Sequence, residues 1–181
     1  MRLTDRILDV GGDPGWWVGS GYERQVTLSN LSFAERPAPF EYLVADARAM
    51  TAVGTGAFDV VHSNSVIEHV GSWEDQQAMA REIARIGRRY WVQTPYRHFP
   101  LEAHFLFPFF QYLTPGIQRR VALGWPLSHY RRGAAPDDLI LAELGRLRLL
   151  DRRELRALFP EAEVVAETVA GWPKSLIALR S

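Results

Sequence analysis

Ile7-Leu8-Asp9-Val10-Gly11-Gly12-Asp13-Pro14-Gly15 is the stretch on which the reading of this chain turns. An apolar run carries an acid and then breaks into glycines. In an α/β protein this is how a first strand empties into a loop around a ligand. Branched side chains favour the sheet, and glycines let backbone come close to a ligand with no Cβ in the way.

Further strands follow. Gln25 to Asn30 is β-branched at Val26 and Thr27, Glu41 to Asp46 ends in an acid, and Phe58 to Asn64 follows the turn-forming Gly54 and Gly56. Tyr90 to Pro95 is stopped by its proline. Ser72-Trp73-Glu74-Asp75 has the spacing of a capping box, and Met79, Ile83 and Ile86 then recur at helical intervals until Gly87. Strand and helix signals are therefore expected to alternate through the first half, which implies parallel pairing. A second capping spacing, Asp151 to Glu154, opens another helix. Glu163–Val169 and Ser175–Leu179 are joined by a link too short for a crossover, so they are expected to be antiparallel.

The chain of 181 residues suffices for one domain with a real core, and 47% hydrophobic against 23% charged residues is ordinary for a globular protein. Zero formal charge gives no global pull toward nucleic acid or an anionic membrane. The absence of cysteine excludes disulfides, thiolate metal sites and cysteine nucleophiles. No stretch approaches the roughly 20 apolar residues of a membrane span, and the N-terminus lacks a signal core, so a cytoplasmic protein is expected. Residues 1–181 read as a single domain. The proline-rich, aromatic segment at about 96–150 reads as an insertion packed beside the strand ends.

In an open parallel sheet ligands sit outside the carboxyl ends of the strands. Asp9, Asn30, Asp46 and Asn64 end four successive strands, which together outweighs the usual turn role of each. A nicotinamide site requires Gly-x-Gly-x-x-Gly and an acid about 20 residues on. Gly11, Gly12 and Gly15 miss that spacing, and Asn30 stands where the acid would be.

The chain resembles the class I S-adenosylmethionine-dependent methyltransferases, particularly the group that includes ubiquinone and menaquinone methyltransferases. The likeness is strongest over Ile7–Gly15 and over Phe58–Val70, and Pro173–Ala178 is similar to the family's last strand. It implies a Rossmann-like α/β fold, a mostly parallel seven-stranded sheet with an antiparallel last strand, and S-adenosylmethionine as cofactor. Asp9 would orient the glycine loop, and Gly11, Gly12 and Gly15 would let backbone pass beneath the cofactor. Asn30 takes the place of the acid that holds the ribose, and its amide is uncharged. Asp46, with Ala47 beside it, would receive the adenine amino group, and Ser63 and Asn64 would lie under the methionine portion. Asp13 replaces a glycine of the usual loop. The helices that usually precede the first strand in this group have no counterpart before Ile7, which implies a more open site.

Methyl transfer to a hydroxyl requires a base, and His98 and His104 are the candidates, set among Tyr96, Glu102 and a run of phenylalanines that suits a hydrophobic or aromatic small-molecule acceptor. Glu68-His69 supplies one carboxylate and one imidazole, thin for any metal, and no metal is expected. The expected activity is methylation of a small molecule, at oxygen in the first instance. The alternatives are a non-catalytic S-adenosylmethionine-binding protein and, further off, an NAD(P)-dependent oxidoreductase. Self-association stays open.

Overall fold

The first strand, β1 (Ile7–Val10), is buried along its whole length, as a central strand is when both faces of a sheet are covered. The computed structural model describes residue 2 and residues 4–181. On one side β1 pairs in parallel with β2 (Val26–Asn30), which pairs with β3 (Glu41–Val44). On the other side it pairs with β4 (Phe58–Asn64), Leu8 opposite Val61, and β4 pairs with β5 (Gly87–Pro95). A short antiparallel pair, β6 (Leu101–Glu102) and β7 (Phe107–Pro108), lies in the insertion. The last two strands, β8 (Glu163–Val169) and β9 (Trp172–Arg180), complete a seven-stranded sheet in the order β3-β2-β1-β4-β5-β9-β8.

Strand β9 runs antiparallel to both of its neighbours. The β8–β9 link is reduced to Ala170 and Gly171, both at positive φ (50° and 81°), the backbone of a two-residue turn that follows strand twist. Glycine adopts it freely; Ala170 takes it under the constraint of the hairpin.

Helix α1 (Trp73–Ile86) begins where the sequence places it. The Ser72 side chain accepts from the Asp75 backbone N–H while Asp75 reaches back to the Ser72 N–H. Met79, Ile83 and Ile86 form its buried stripe. They pack with Leu8, Val61 and Tyr90 in the main core, to which a C-terminal helix adds Leu155 and Leu158. That helix follows three others: α2 (Pro115–Gly124), α3 (His129–Arg132) and α4 (Asp137–Arg146) belong to the insertion, and α5 (Arg152–Leu158) is capped by Asp151. Phe105, Phe110, Ala122 and Ile140 form the insertion's own small core.

The alternation of strand and helix expected for the first half is not what forms. Among the described residues the β1–β2, β2–β3 and β3–β4 links hold turns and one short 3-10 turn, Pro14–Trp16, and only β4–β5 is bridged by a helix. The links carry Gly19, Gly21, Pro37 and Pro39, which favour turns over helix. The face that such helices would cover is closed by side chains from the links themselves. Trp17 and Phe40 pack on Ile7, Val26, Leu28 and Val60.

Ile83 is fully buried at the α1–sheet contact. Ile83→Ala should therefore lower unfolding free energy by about 2–5 kcal/mol, read as a lower urea midpoint at unchanged m-value.

Candidate functional site

The polar strand ends converge as the fold requires, at the carboxyl edge of the parallel strands. Asp9 is the most constrained. It is buried, its Oδ2 accepts the indole N–H of Trp17 at 2.7 Å, and its Oδ1 pairs with His62 Nδ1 at 2.7 Å. Its carboxylate fills the space where a Cβ on Gly12 would go, only 2.5 Å from Oδ2. Gly12 is thus required by Asp9 from below. Gly11 is required twice over, by a φ of +73° and by Val66, whose side chain occupies the space a Cβ there would need. Asp13, in place of the usual glycine, caps the 3-10 turn by accepting the Gly15 N–H at 2.6 Å.

Asn30 donates its side-chain amide to the Gly12 carbonyl at 2.8 Å. A carboxylate has no proton to give there, so the amide has a reason of its own: it ties the end of β2 to the glycine loop. Asp46 chelates the guanidinium of Arg48 through both oxygens, and Arg48 reaches on to Asp75 at 2.8 Å. The bond to Arg48 holds the Asp46 carboxyl below its usual range, so it stays an acceptor.

Gly11, Asn30, Asp46 and Ala47 line one cavity of about 450 Å³, closed on the far side by His69 and by Glu143 and Arg146 of α4. Asp9, Gly12 and Gly15, expected at the cofactor, do not line this cavity. Ser63 is fully buried and donates to the Val10 carbonyl at 3.2 Å, which locks β4 to β1 beneath the site. Asn64 belongs to a second cavity of about 730 Å³. That space is walled by Trp16, Trp91, Tyr96 and Phe99, with Glu102 and Lys174 among its polar side chains. Ser65 also lines it, at a φ of 55°, and hydrogen-bonds Gln93 at 3.0 Å. The two cavities adjoin where β4 ends, on either side of residues 64–66.

The two candidate histidines are placed differently. His98 is exposed, its Nδ1 2.5 Å from the Tyr112 hydroxyl and its ring edge-on to Tyr96, a wall residue of the larger cavity. His104 is turned inward. Its Nδ1 pairs with Glu102 at 2.6 Å and its Nε2 lies 2.9 Å from His69 Nε2. Burial works against a charged His104, but the bond to Glu102 and the charges of Glu102, Glu68 and Glu143 outweigh it, and its pKa is raised. Burial pushes Glu68 up to about 7 against the pull of His104, and takes His69 down to about 4.

Sequence reasoning missed Trp16, Ser65, Gln93 and Lys174 as wall residues. Gln93 carried a readable signal, a polar residue near the end of β5 matching Asn64 on β4. Trp16 and Lys174 carried none, because a loop and a hairpin bring them in.

Residues 21–89 match the family model described as a methyltransferase domain. The chain has the class I methyltransferase fold. Its sheet order, with an antiparallel strand inserted between β5 and β8, is that of this fold and departs from the 3-2-1-4-5-6 order of dinucleotide-binding domains. A SAM-dependent methyltransferase from Methanosarcina mazei superposes with a TM-score of 0.57 at 12% identity, covering 99% of this chain and 92% of that one. The 1,6-didemethyltoxoflavin-N1-methyltransferase of Burkholderia thailandensis, solved with bound 1,6-didemethyltoxoflavin and S-adenosylhomocysteine, gives a TM-score of 0.58 at 16% identity, covering 98% of this chain and 71% of that one. A structure named as a putative Zn-dependent alcohol dehydrogenase, from Rhodobacter sphaeroides, gives 0.59 at 14% over 96% and 82%. At such identities the likeness is one of fold. No curated protein sequence matches the chain. Among the described residues no helix of the chain is long and apolar enough to cross a membrane.

Replacing Asn30 by an acid tests the loop tether. Asn30→Asp should set a carboxylate against the Gly12 carbonyl and cost about 1–2 kcal/mol of stability, measured by thermal or urea unfolding.

Proposed function

We propose that this chain is a methyltransferase that holds S-adenosylmethionine in the smaller cavity and a small aromatic or hydrophobic acceptor in the larger one. The observation that carries the reading is the pairing of the two spaces. A polar pocket built on Gly11, Asn30 and Asp46 adjoins an aromatic one across residues 64–66, at the carboxyl edge of the strands. That is where two reactants need to lie for a group to pass between them.

The residues present suit the cofactor. Asp46, kept ionised by Arg48, offers acceptors for an exocyclic amino group. Gly11 presents bare backbone to the cavity, and Asn30 stands at the end of β2 with its carbonyl oxygen free of the bond its amide makes to the loop. When bound, S-adenosylmethionine supplies a methyl group already activated by its sulfonium. What remains for the protein is to orient the acceptor, keep water away and remove a proton where the acceptor is a hydroxyl. The rings of Trp16, Trp91, Tyr96 and Phe99 provide the apolar wall. His98 does not line the cavity but stands edge-on to its wall residue Tyr96, and it is the base in this reading. His104 acts as a positioning residue through Glu102, a buried residue at the cavity wall. Oxygen is the acceptor atom that best uses a histidine base.

Titration calorimetry with S-adenosylhomocysteine tests the cofactor assignment. The chain should bind one equivalent, and Asp46→Ala should weaken binding by about tenfold, the loss of roughly one charge-assisted hydrogen bond. No measurable binding by the unaltered chain overturns the reading.

Turnover separates an enzyme from a protein that only binds the cofactor. In a panel of aromatic hydroxyl, amine and carboxyl acceptors, S-adenosylhomocysteine release should depend on the acceptor. His98→Ala should lower kcat on a hydroxyl acceptor by about 100-fold or more at unchanged S-adenosylhomocysteine affinity. Equal turnover in this variant removes the base assignment.

A further inference from the structure

Glu68 and His69 sit side by side in sequence, and the fold brings a third potential ligand to them from the insertion. His104 Nε2 lies 2.9 Å from His69 Nε2 and 3.8 Å from Glu68 Oε1. One ligand atom from each of the three residues can be chosen so that all lie within 4.8 Å of one another. Nitrogens or oxygens bound to one ion at about 2.0–2.1 Å stand roughly 3 to 3.4 Å apart. The two imidazole nitrogens stand slightly closer than that spacing, and Glu68 Oε1 lies a few tenths of an ångström beyond it from His104 Nε2.

His104 and Glu68 are each held by a hydrogen bond that leaves the inner atom free, and His69 has a carboxylate nearby. Glu102 accepts from His104 Nδ1 at 2.6 Å, which fixes the ring and turns Nε2 inward. Thr94 donates to Glu68 Oε2 at 2.9 Å, leaving Oε1 as the free oxygen. Glu143 of α4 lies 3.4 Å from His69 Nδ1, on the far side of that ring from His104. A carboxylate behind a ligating histidine is the usual outer support of a metal site.

Hydrogen bonding leaves two atoms of the cluster over, Glu68 Oε1 and His69 Nδ1. Glu68 is completely buried, and Oε1 has no hydrogen-bond partner. A proton shared between the two imidazoles would satisfy that pair and still leave this oxygen bare. An unpartnered buried carboxylate oxygen costs a substantial fraction of a small domain's stability, so a cation facing it has a physical reason to be there.

We propose that Glu68, His69 and His104 bind one divalent transition-metal ion of the Zn²⁺ type. Two imidazoles and one carboxylate are borderline nitrogen-rich donors, which suit Zn²⁺ and Co²⁺ and suit Mg²⁺ and Ca²⁺ poorly. Three protein ligands leave a coordination position for water or another ligand. The ion would join the corner between β4 and α1 to the insertion. It would lie between the two cavities, since His69 lines the smaller and Glu102 the larger. The proposal does not rest on the methyltransferase reading, and its test makes no use of cofactor or turnover.

The chelator-treated full chain should bind one Zn²⁺ with micromolar or tighter affinity by calorimetry. Co²⁺ should give visible d–d absorption at the same stoichiometry, and Mg²⁺ should bind at least 100-fold more weakly than Zn²⁺. Glu68→Gln preserves the shape and the contact to Thr94, and with His104→Asn it should weaken Zn²⁺ binding at least tenfold, with far-UV circular dichroism confirming the fold. Where either variant fails to fold, His69→Asn reads the same site. Zn²⁺ binding that is absent from the unaltered chain, or that is unchanged in the folded variants, overturns the proposal. So does Mg²⁺ binding as tight as Zn²⁺.

Discussion

The buried carboxylate of Asp9, held between the indole of Trp17 and the imidazole of His62, is the constraint from which the site is built. A charge removed from water is tolerated only where its lone pairs are used, and both oxygens here are bonded. Filling that space forbids a side chain at position 12, so the loop must pass over it as bare backbone. The Gly12 carbonyl is then exposed to Asn30, which binds it and fixes the end of β2. Trp17, drawn down by the same acid, lies against Ile7, Val26 and Val60 and closes a face of the sheet that has no helix over its first strands. Loop, strand end and second core thus share one anchor.

The strands were legible because their pattern is local. β4 and β8 end where their residues predict, and the capping boxes at Ser72 and Asp151 mark helices that begin on the next residue. The polar strand ends were legible as a group for the same reason. The layering was not. Parallel pairing usually implies helical crossovers, but nothing in the residues between β1 and β4 specifies a helix, and the faces they cover are set by tertiary packing of Trp17 and Phe40. Roles inside the site were only partly readable. Asp9 and Asn30 were identifiable as strand ends, whereas their bonds to Trp17, His62 and Gly12 depend on register and on a loop path.

The insertion shows the same division more sharply. Its aromatic content announces a packed segment, and Phe105 and Phe110 do stack, their ring centres 4.3 Å apart. Its histidines cannot be sorted by composition. His98 faces outward beside Tyr112, and His104, six positions on, is locked inward by Glu102. The carboxylate next to one of them decides its direction. A pair such as Glu68-His69 therefore reads as insufficient until the chain has been folded around it.

The placement of helices bears on the order in which the sheet assembles. The one helical bridge between neighbouring parallel strands, among the described residues, is α1, joining β4 to β5. That segment can close its apolar stripe on Val61 and Tyr90 through contacts close in sequence, where the entropic cost of closure is small. Strand β9 must wait for the whole insertion before it can enter beside β5. The hairpin with β8 can form earlier, around its two-residue turn, and dock as a unit. Assembly would then begin in the middle of the chain and spread to both ends. The corner at Glu68 and His69, lying just before α1, would be in place before the His104 imidazole reaches it.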